Sequence, residues 1–140
     1  MRLIREIIIH QTGTETGTLE SIRRYHVETL GWNDIGYHFL LTSDAVVHKG
    51  RPQSIVGSHC QGDNAHSLGV CCVGKGNAFP LGTGYMTLAM FIALLKLHQE
   101  LQRAYPAIKR NICGHREKAS GINQGKSCPG FDVEILRQLC

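Results

Sequence analysis

Three residues carry the side chains from which proteins build a zinc site: His10, His115 and Cys128. His10 closes the apolar run LIREIIIH, His115 closes IKRNICGH, and Cys128 follows in the stretch KSCPGFD. Imidazole nitrogen and thiolate sulfur suit zinc. Three protein ligands with a fourth position open describe a catalytic ion rather than a structural one. Water at such an ion has its pKa lowered to about 7, so hydroxide is available at neutral pH. The residues alone leave other readings open. A histidine at a strand end is commonly solvated, and a cysteine before Pro129-Gly130 is commonly a packed turn residue. Cys128 could also be a nucleophile activated by Lys126 or a histidine. Against this, a nucleophilic cysteine normally opens a helix, which Pro129-Gly130 does not suit.

Lys126 stands two residues before Cys128. If 126–128 is extended, both side chains point to one side. An ammonium there could stabilise an oxygen that turns negative when water attacks a carbonyl; a solvated lysine on a glycine-rich loop is the ordinary alternative. Tyr37, in GYHFLL, alternates with His38, which places the two on opposite faces of a strand. No His-Glu-x-x-His pattern supplies a glutamate base.

The elements that must position these groups follow from pattern. LIREIIIH (3–10) reads as a buried strand. Thr18 caps a helix running to about Leu30, and Gly31 stops it. GYHFLLT (36–42) and AVVHKG (45–50) read as a hairpin, followed by a polar loop from Gly57 to Ser67 and an apolar strand LGVCCVG (68–74). A loop spans Gly74 to Gly84, and a long helix spans 85–105, ended by Pro106. IKRNICGH (108–115) is a final strand, 117–126 a loop, and Asp132 caps a closing helix to Leu139. Interleaved strands and helices with short connections predict an α/β fold: one domain over 1–140, a central mixed β-sheet flanked by helices, and loops gathered at the strand ends. His10, His115 and Cys128 converge only if the first and last strands are neighbours.

Bulk properties limit the alternatives. The chain has 140 residues, 42% hydrophobic and 19% charged, enough for a packed core. A net charge of +4 with scattered basic residues does not indicate nucleic acid. MRLIREIIIHQT lacks the pattern of a signal peptide, and the apolar run from Tyr85 to Leu95 is too short to span a bilayer. A cytoplasmically made chain without stable membrane insertion is expected. Cys71 and Cys72 point to opposite faces of a strand, which argues for reduced thiols rather than a disulfide framework.

IIIHQT, GWNDIGYHFLL, GSHCQGDNAHSLGVCCVG and ICGHREKASGINQGKSCPGFD occur in this order. Together they resemble the type 2 N-acetylmuramoyl-L-alanine amidases, above all the small phage lysozyme-amidases related to animal peptidoglycan recognition proteins. The resemblance runs from about Ile7 to Phe131. It implies a mixed sheet, a zinc site of His10, His115 and Cys128, and catalytic roles for Tyr37 and Lys126. It also implies that His59, with Asn64 beside it, lines the substrate groove. Loop-structuring roles for His59 and Asn64 are the alternative. The implied reaction is hydrolysis of the amide between N-acetylmuramic acid and L-alanine, in peptidoglycan or soluble muropeptides, by a monomer. A binding module that has lost catalysis is the main rival, but Tyr37, Lys126 and Cys128 are all present. Two departures stand out: Gln11 follows the first ligand, and the loop between His115 and Cys128 is long. His38 is expected to pack on the far face of its strand, and His26, His48 and His98 on helix and strand surfaces.

Overall fold

The computed structural model describes residues 2–78 and 84–139. The expected Gly74–Gly84 loop therefore lies partly outside the described residues, as does Cys140. Five strands form one mixed sheet in the order β3-β2-β4-β1-β5. They are β1 (Glu6–Gln11), β2 (Phe39–Leu41), β3 (Val47–Lys49), β4 (Ser67–Cys72) and β5 (Ile112–Gly114). β1 pairs in parallel with β4 and with β5, β2 pairs in parallel with β4, and β3 is antiparallel to β2. The first and last strands are thus neighbours, the condition the three-residue cluster required.

Alternation divides the sheet into two unlike faces. Ile7 and Ile9 of β1, Phe39 and Leu41 of β2, and Leu68, Val70 and Cys72 of β4 face α2 (Leu88–Ala104). That helix presents Met90, Phe91, Leu94, Leu97 and Leu101, a stripe at helical spacing, all buried. Thr87 caps it by accepting the Met90 N–H at 3.1 Å. The opposite face carries Leu40, Cys71 and Val73, packed by Leu19 and Ile22 of α1 (Leu19–Arg24) and by Tyr37. His10 and Ser67 are buried as well, outside both apolar clusters.

α1 starts where the pattern placed it. Thr18 and Ser21 form a reciprocal capping box at 3.0 and 2.9 Å. The helix continues as a wider turn through Tyr25–Thr29 and stops at Gly31, whose φ is +75°. Several boundaries differ from expectation: β2 covers only Phe39–Leu41 of the expected strand 36–42, and α2 begins at Leu88 rather than at 85. β5 is three residues, because Pro106–Ile108 form a 3-10 turn and Lys109 takes φ +51° before the strand begins. The region 117–126 contains a short helix, α3 (Ala119–Asn123), where a loop was expected. A Cβ at Gly121 would overlap the His115 carbonyl, so glycine is what lets α3 lie against that backbone. The closing helix α4 (Glu134–Leu139) begins beyond Asp132, which accepts the Glu134 N–H at 3.0 Å.

The segment between β3 and β4 has little regular structure, and two arginines organise it. Arg2 donates to the carbonyls of Gln53, Ile55, Asn64 and Ser67 at 2.7–2.9 Å. Arg51 donates to those of Asp34, Ile35 and Val56 at 2.8–3.0 Å. Irregular backbone leaves carbonyls without partners, and a guanidinium with five donors collects several at once. No described helix is long and apolar enough to cross a membrane.

Candidate metal centre

His10 lies at the end of β1, His115 directly after β5, and Cys128 on the turn after α3. Their ligand atoms all lie within 4.8 Å of one another. Parallel pairing of β1 with β5 causes this, since both strands then end at the same edge of the sheet. The turn is tied down on both sides. The Arg116 N–H donates to the Cys128 carbonyl at 3.0 Å, and the Lys126 N–H to the Gly121 carbonyl at 2.8 Å. A Cβ at Gly114 would sit 2.7 Å from Pro129 Cδ, so glycine there lets the turn close over the strand end.

Each imidazole has a second partner. His115 Nδ1 is 3.5 Å from Cys128 Sγ, while its Nε2 is 3.1 Å from Ser120 Oγ on α3. His10 Nε2 is 3.0 Å from His59 Nδ1. Burial holds the His10 pKa well below the usual histidine range, with His59, His115 and Lys126 adding in the same direction. His115 is lowered by burial and then by Lys126. Both rings are therefore neutral at pH 7, the form that offers a lone pair to a metal. Burial raises the Cys128 thiol, opposed by the Gln11 backbone N–H and by the Lys126 charge. A divalent ion would stabilise that thiolate and offset the burial. The donor set, the spacing and the neutral rings fit a zinc ion.

Tyr37 lies against this cluster, and the charge of Lys126 acts on it. The Tyr37 ring centroid is 5.3 Å from that of His10. Its phenol is held well above its ordinary pKa by Cys71 and by burial, so it stays protonated. Lys126 is solvent-exposed, and its charge acts on both imidazoles and on the thiol. Tyr37 and His38 precede β2 rather than lie within it, so the expected strand alternation does not separate them. Both border the same layer of rings, with His38 5.8 Å from His59. His38 Nδ1 accepts the Gly69 N–H at 3.0 Å, and burial pushes its pKa down to about 4.

His59 and Asn64 lie on the wall of a shallow depression that also includes Trp32, Gln61 and Gln124. Asn64 Oδ1 accepts the N–H groups of His59 and Cys60, both at 2.9 Å, a loop-fixing arrangement. On the other side of Tyr37 is a cavity of ≈ 430 Å³ bordered by Thr12, Thr14, Thr16, Ser21 and His26.

Two histidines expected at the surface are buried. His98 falls on the stripe of α2 defined by Leu94, Leu97 and Leu101, and burial pushes its pKa to about 4. The helical period of that stripe was readable beforehand. His26 sits between Trp32 (ring centroids 4.6 Å apart) and Tyr37 (5.5 Å), tilted to both, and accepts the Gly36 N–H at 2.9 Å. No local signal marks that contact. Gln11, noted as a departure, clamps the neighbouring loop: its amide both accepts from and donates to the Gly76 backbone, each at 3.0 Å. Ser120 was not anticipated, because its helix was not.

A second group, Glu6, Asp63 and His66, also brings its ligand atoms within 4.8 Å. It already holds a cation: Lys118 Nζ is 2.8 Å from Glu6 and 3.5 Å from Asp63. It is an ion-paired brace between β1, the β3–β4 loop and the segment leading to α3.

The N-acetylmuramoyl-L-alanine amidase family model matches residues 1–131. An endolysin of Enterobacteria phage K11 is 36% identical over 132 residues, covering 92% of this chain and 82% of that protein. Peptidoglycan-recognition protein SC2 of Drosophila melanogaster is 30% identical over 134 residues, covering 91% of this chain and 68% of its own length. Among solved structures, the N-acetylmuramoyl-L-alanine amidase LysC from Clostridium intestinale URNW superposes with a TM-score of 0.83 at 28% identity, covering 99% of this chain and 85% of that one.

Proposed function

Since the chain belongs to the N-acetylmuramoyl-L-alanine amidase family and is endolysin-like within it, we propose that His10, His115 and Cys128 hold a catalytic zinc ion while Tyr37 and Lys126 act on the substrate. The reaction is hydrolysis of the amide between the lactyl group of N-acetylmuramic acid and L-alanine in peptidoglycan. One observation carries the metal assignment: two neutral imidazoles and a thiol, drawn from opposite ends of the chain, bring their ligand atoms within 4.8 Å of one another.

The chemistry zinc supplies when bound is Lewis acidity, which makes water more acidic and a carbonyl more electrophilic. The remaining work falls to the protein. As water oxygen bonds to the lactyl carbonyl carbon, negative charge grows on the carbonyl oxygen. The Lys126 ammonium opposes that charge from the solvent-exposed side of the cluster. The Tyr37 phenol, whose ring lies 5.3 Å from that of His10, donates a hydrogen bond at the reacting carbonyl. The C–N bond then breaks, and the L-alanine nitrogen leaves as an amine carrying a proton that came from water. The hydroxyl-lined cavity beside Tyr37 and the depression beside His115 offer room on both sides of the reacting bond.

The test is zinc content and muropeptide cleavage measured side by side for the parent and Cys128→Ser. The variant is expected to lose zinc and turnover together while keeping the parent's circular dichroism. Full cleavage by a zinc-free variant would refute the metal assignment. Activity that resists chelators and is lost to thiol reagents would point to a cysteine nucleophile instead.

A further inference from the structure

His59 is 9% exposed, and both of its ring nitrogens are engaged inside the protein. We propose that His59 and Ser67 form a directed hydrogen-bond relay that locks His10 in the tautomer whose Nδ1 is free to bind the metal, which makes His59 a positioning residue. This rests on the zinc assignment above.

The direction follows from one group that can only accept. The Asp63 carbonyl is 2.7 Å from Ser67 Oγ, and the single hydroxyl proton of Ser67 goes there. Toward His59 Nε2, at 3.3 Å, Ser67 Oγ must then accept, so Nε2 carries the proton. A neutral imidazole protonated at Nε2 is bare at Nδ1. That bare nitrogen is 3.0 Å from His10 Nε2, which must therefore be the donor. The remaining nitrogen of His10, Nδ1, is left with its lone pair. His115 shows the same polarity by a separate route, with Nδ1 toward Cys128 and Nε2 toward Ser120. A fixed partner on the non-ligating nitrogen sets both tautomer and ring orientation at metal sites.

The surroundings hold the His59 ring in place. A Cβ at Gly69 would lie 2.5 Å from His59 Cγ, and one at Gly57 would lie 2.8 Å from Cδ2, so two glycines leave a slot for the ring. Asn64 secures the His59 backbone from the other direction. The His59 ring stands edge-on to His10, with an interplanar angle of 87°. Only carbon edges remain to face the depression, which sets His59 apart from a polar substrate contact.

Nitrogen-15 spectra of the imidazoles, recorded without metal, test the direction; chelator competition measures zinc affinity. In the parent, the His10 proton is expected on Nε2. His59→Leu, which keeps bulk and removes the acceptor, is expected to weaken zinc binding by about 10- to 100-fold, while His59→Asn, which returns an acceptor near Nδ1, stays within about threefold. Ser67→Ala removes the fixed acceptor and is expected to leave His59 in a mixture of tautomers, even if His59→Leu folds poorly. A His10 proton on Nδ1, equal zinc affinities for the folded Leu and Asn variants, or unchanged His59 tautomers in Ser67→Ala would overturn the relay. Should the parent show the Nε2 proton yet bind no zinc, the relay stands and the metal assignment falls.

Discussion

The two faces of the sheet are both buried, yet burial does different work on each. On the α2 face it mainly removes apolar surface: Ile7, Ile9, Leu68 and Val70 meet Met90, Leu94 and Leu97, with the Cys72 thiol and the His98 ring as polar exceptions. On the opposite face it acts on titratable rings. His10, His38 and His59 lose hydration and are held neutral. The same desolvation that stabilises one face costs stability on the other, because histidines that remain neutral in the fold gain protons more readily when unfolded. The second face recovers some of this through hydrogen bonds, among them Gly69 to His38 and His10 to His59. One side of β1 is built for cohesion and the other for lone pairs.

Leu94→Ala strikes the cohesive face. A cavity there should cost about 2–5 kcal/mol of unfolding free energy in denaturant titration. Zinc affinity of the folded fraction should match the parent, because Leu94 faces away from the His10 side of the sheet. Loss of zinc binding by a folded Leu94→Ala protein would show that the faces are not separable. Lys126→Ala should do the converse. The side chain is exposed, so thermal stability should change little, while kcat falls by about 10²-fold and zinc content stays intact. Full activity would remove Lys126 from the mechanism.

The last test uses pH. The folded-state pKa of His38 is about 4 and that of His59 about 3, both below the ordinary value of 6.5. The unfolded chain therefore binds more protons between those values, so stability rises with pH across that window. For the metal-free protein, the thermal midpoint should be near its plateau above pH 6.5 and fall steadily toward pH 4. Leu94→Ala should lower the whole curve. A midpoint flat across that range would mean the histidine layer is not held neutral by the fold.

Much of this layout was readable from pattern. The apolar run ending in His10, the Thr18 cap, the hairpin around residue 44 and the apolar stripe of the long helix all declare themselves through local periodicity. α3 escaped detection because Ala119–Asn123 is five residues with weak propensity, and it forms where Gly121 can press against His115. The carbonyl-gathering roles of Arg2 and Arg51 escaped too, since a carbonyl has no signature in sequence.

Residue identity alone supplied the chemistry available to this chain: two imidazoles at strand ends, a thiol before a turn, a lysine two residues upstream of it, and a tyrosine in the stretch GYHFLL. Which imidazole nitrogen faces the thiol, and which is tied to Ser120 or His59, came from strand order and loop packing. The reason is range. Propensity and periodicity act over a few neighbouring residues, whereas a tautomer is set by whichever donor or acceptor the folded chain brings within about 3 Å, however distant in sequence.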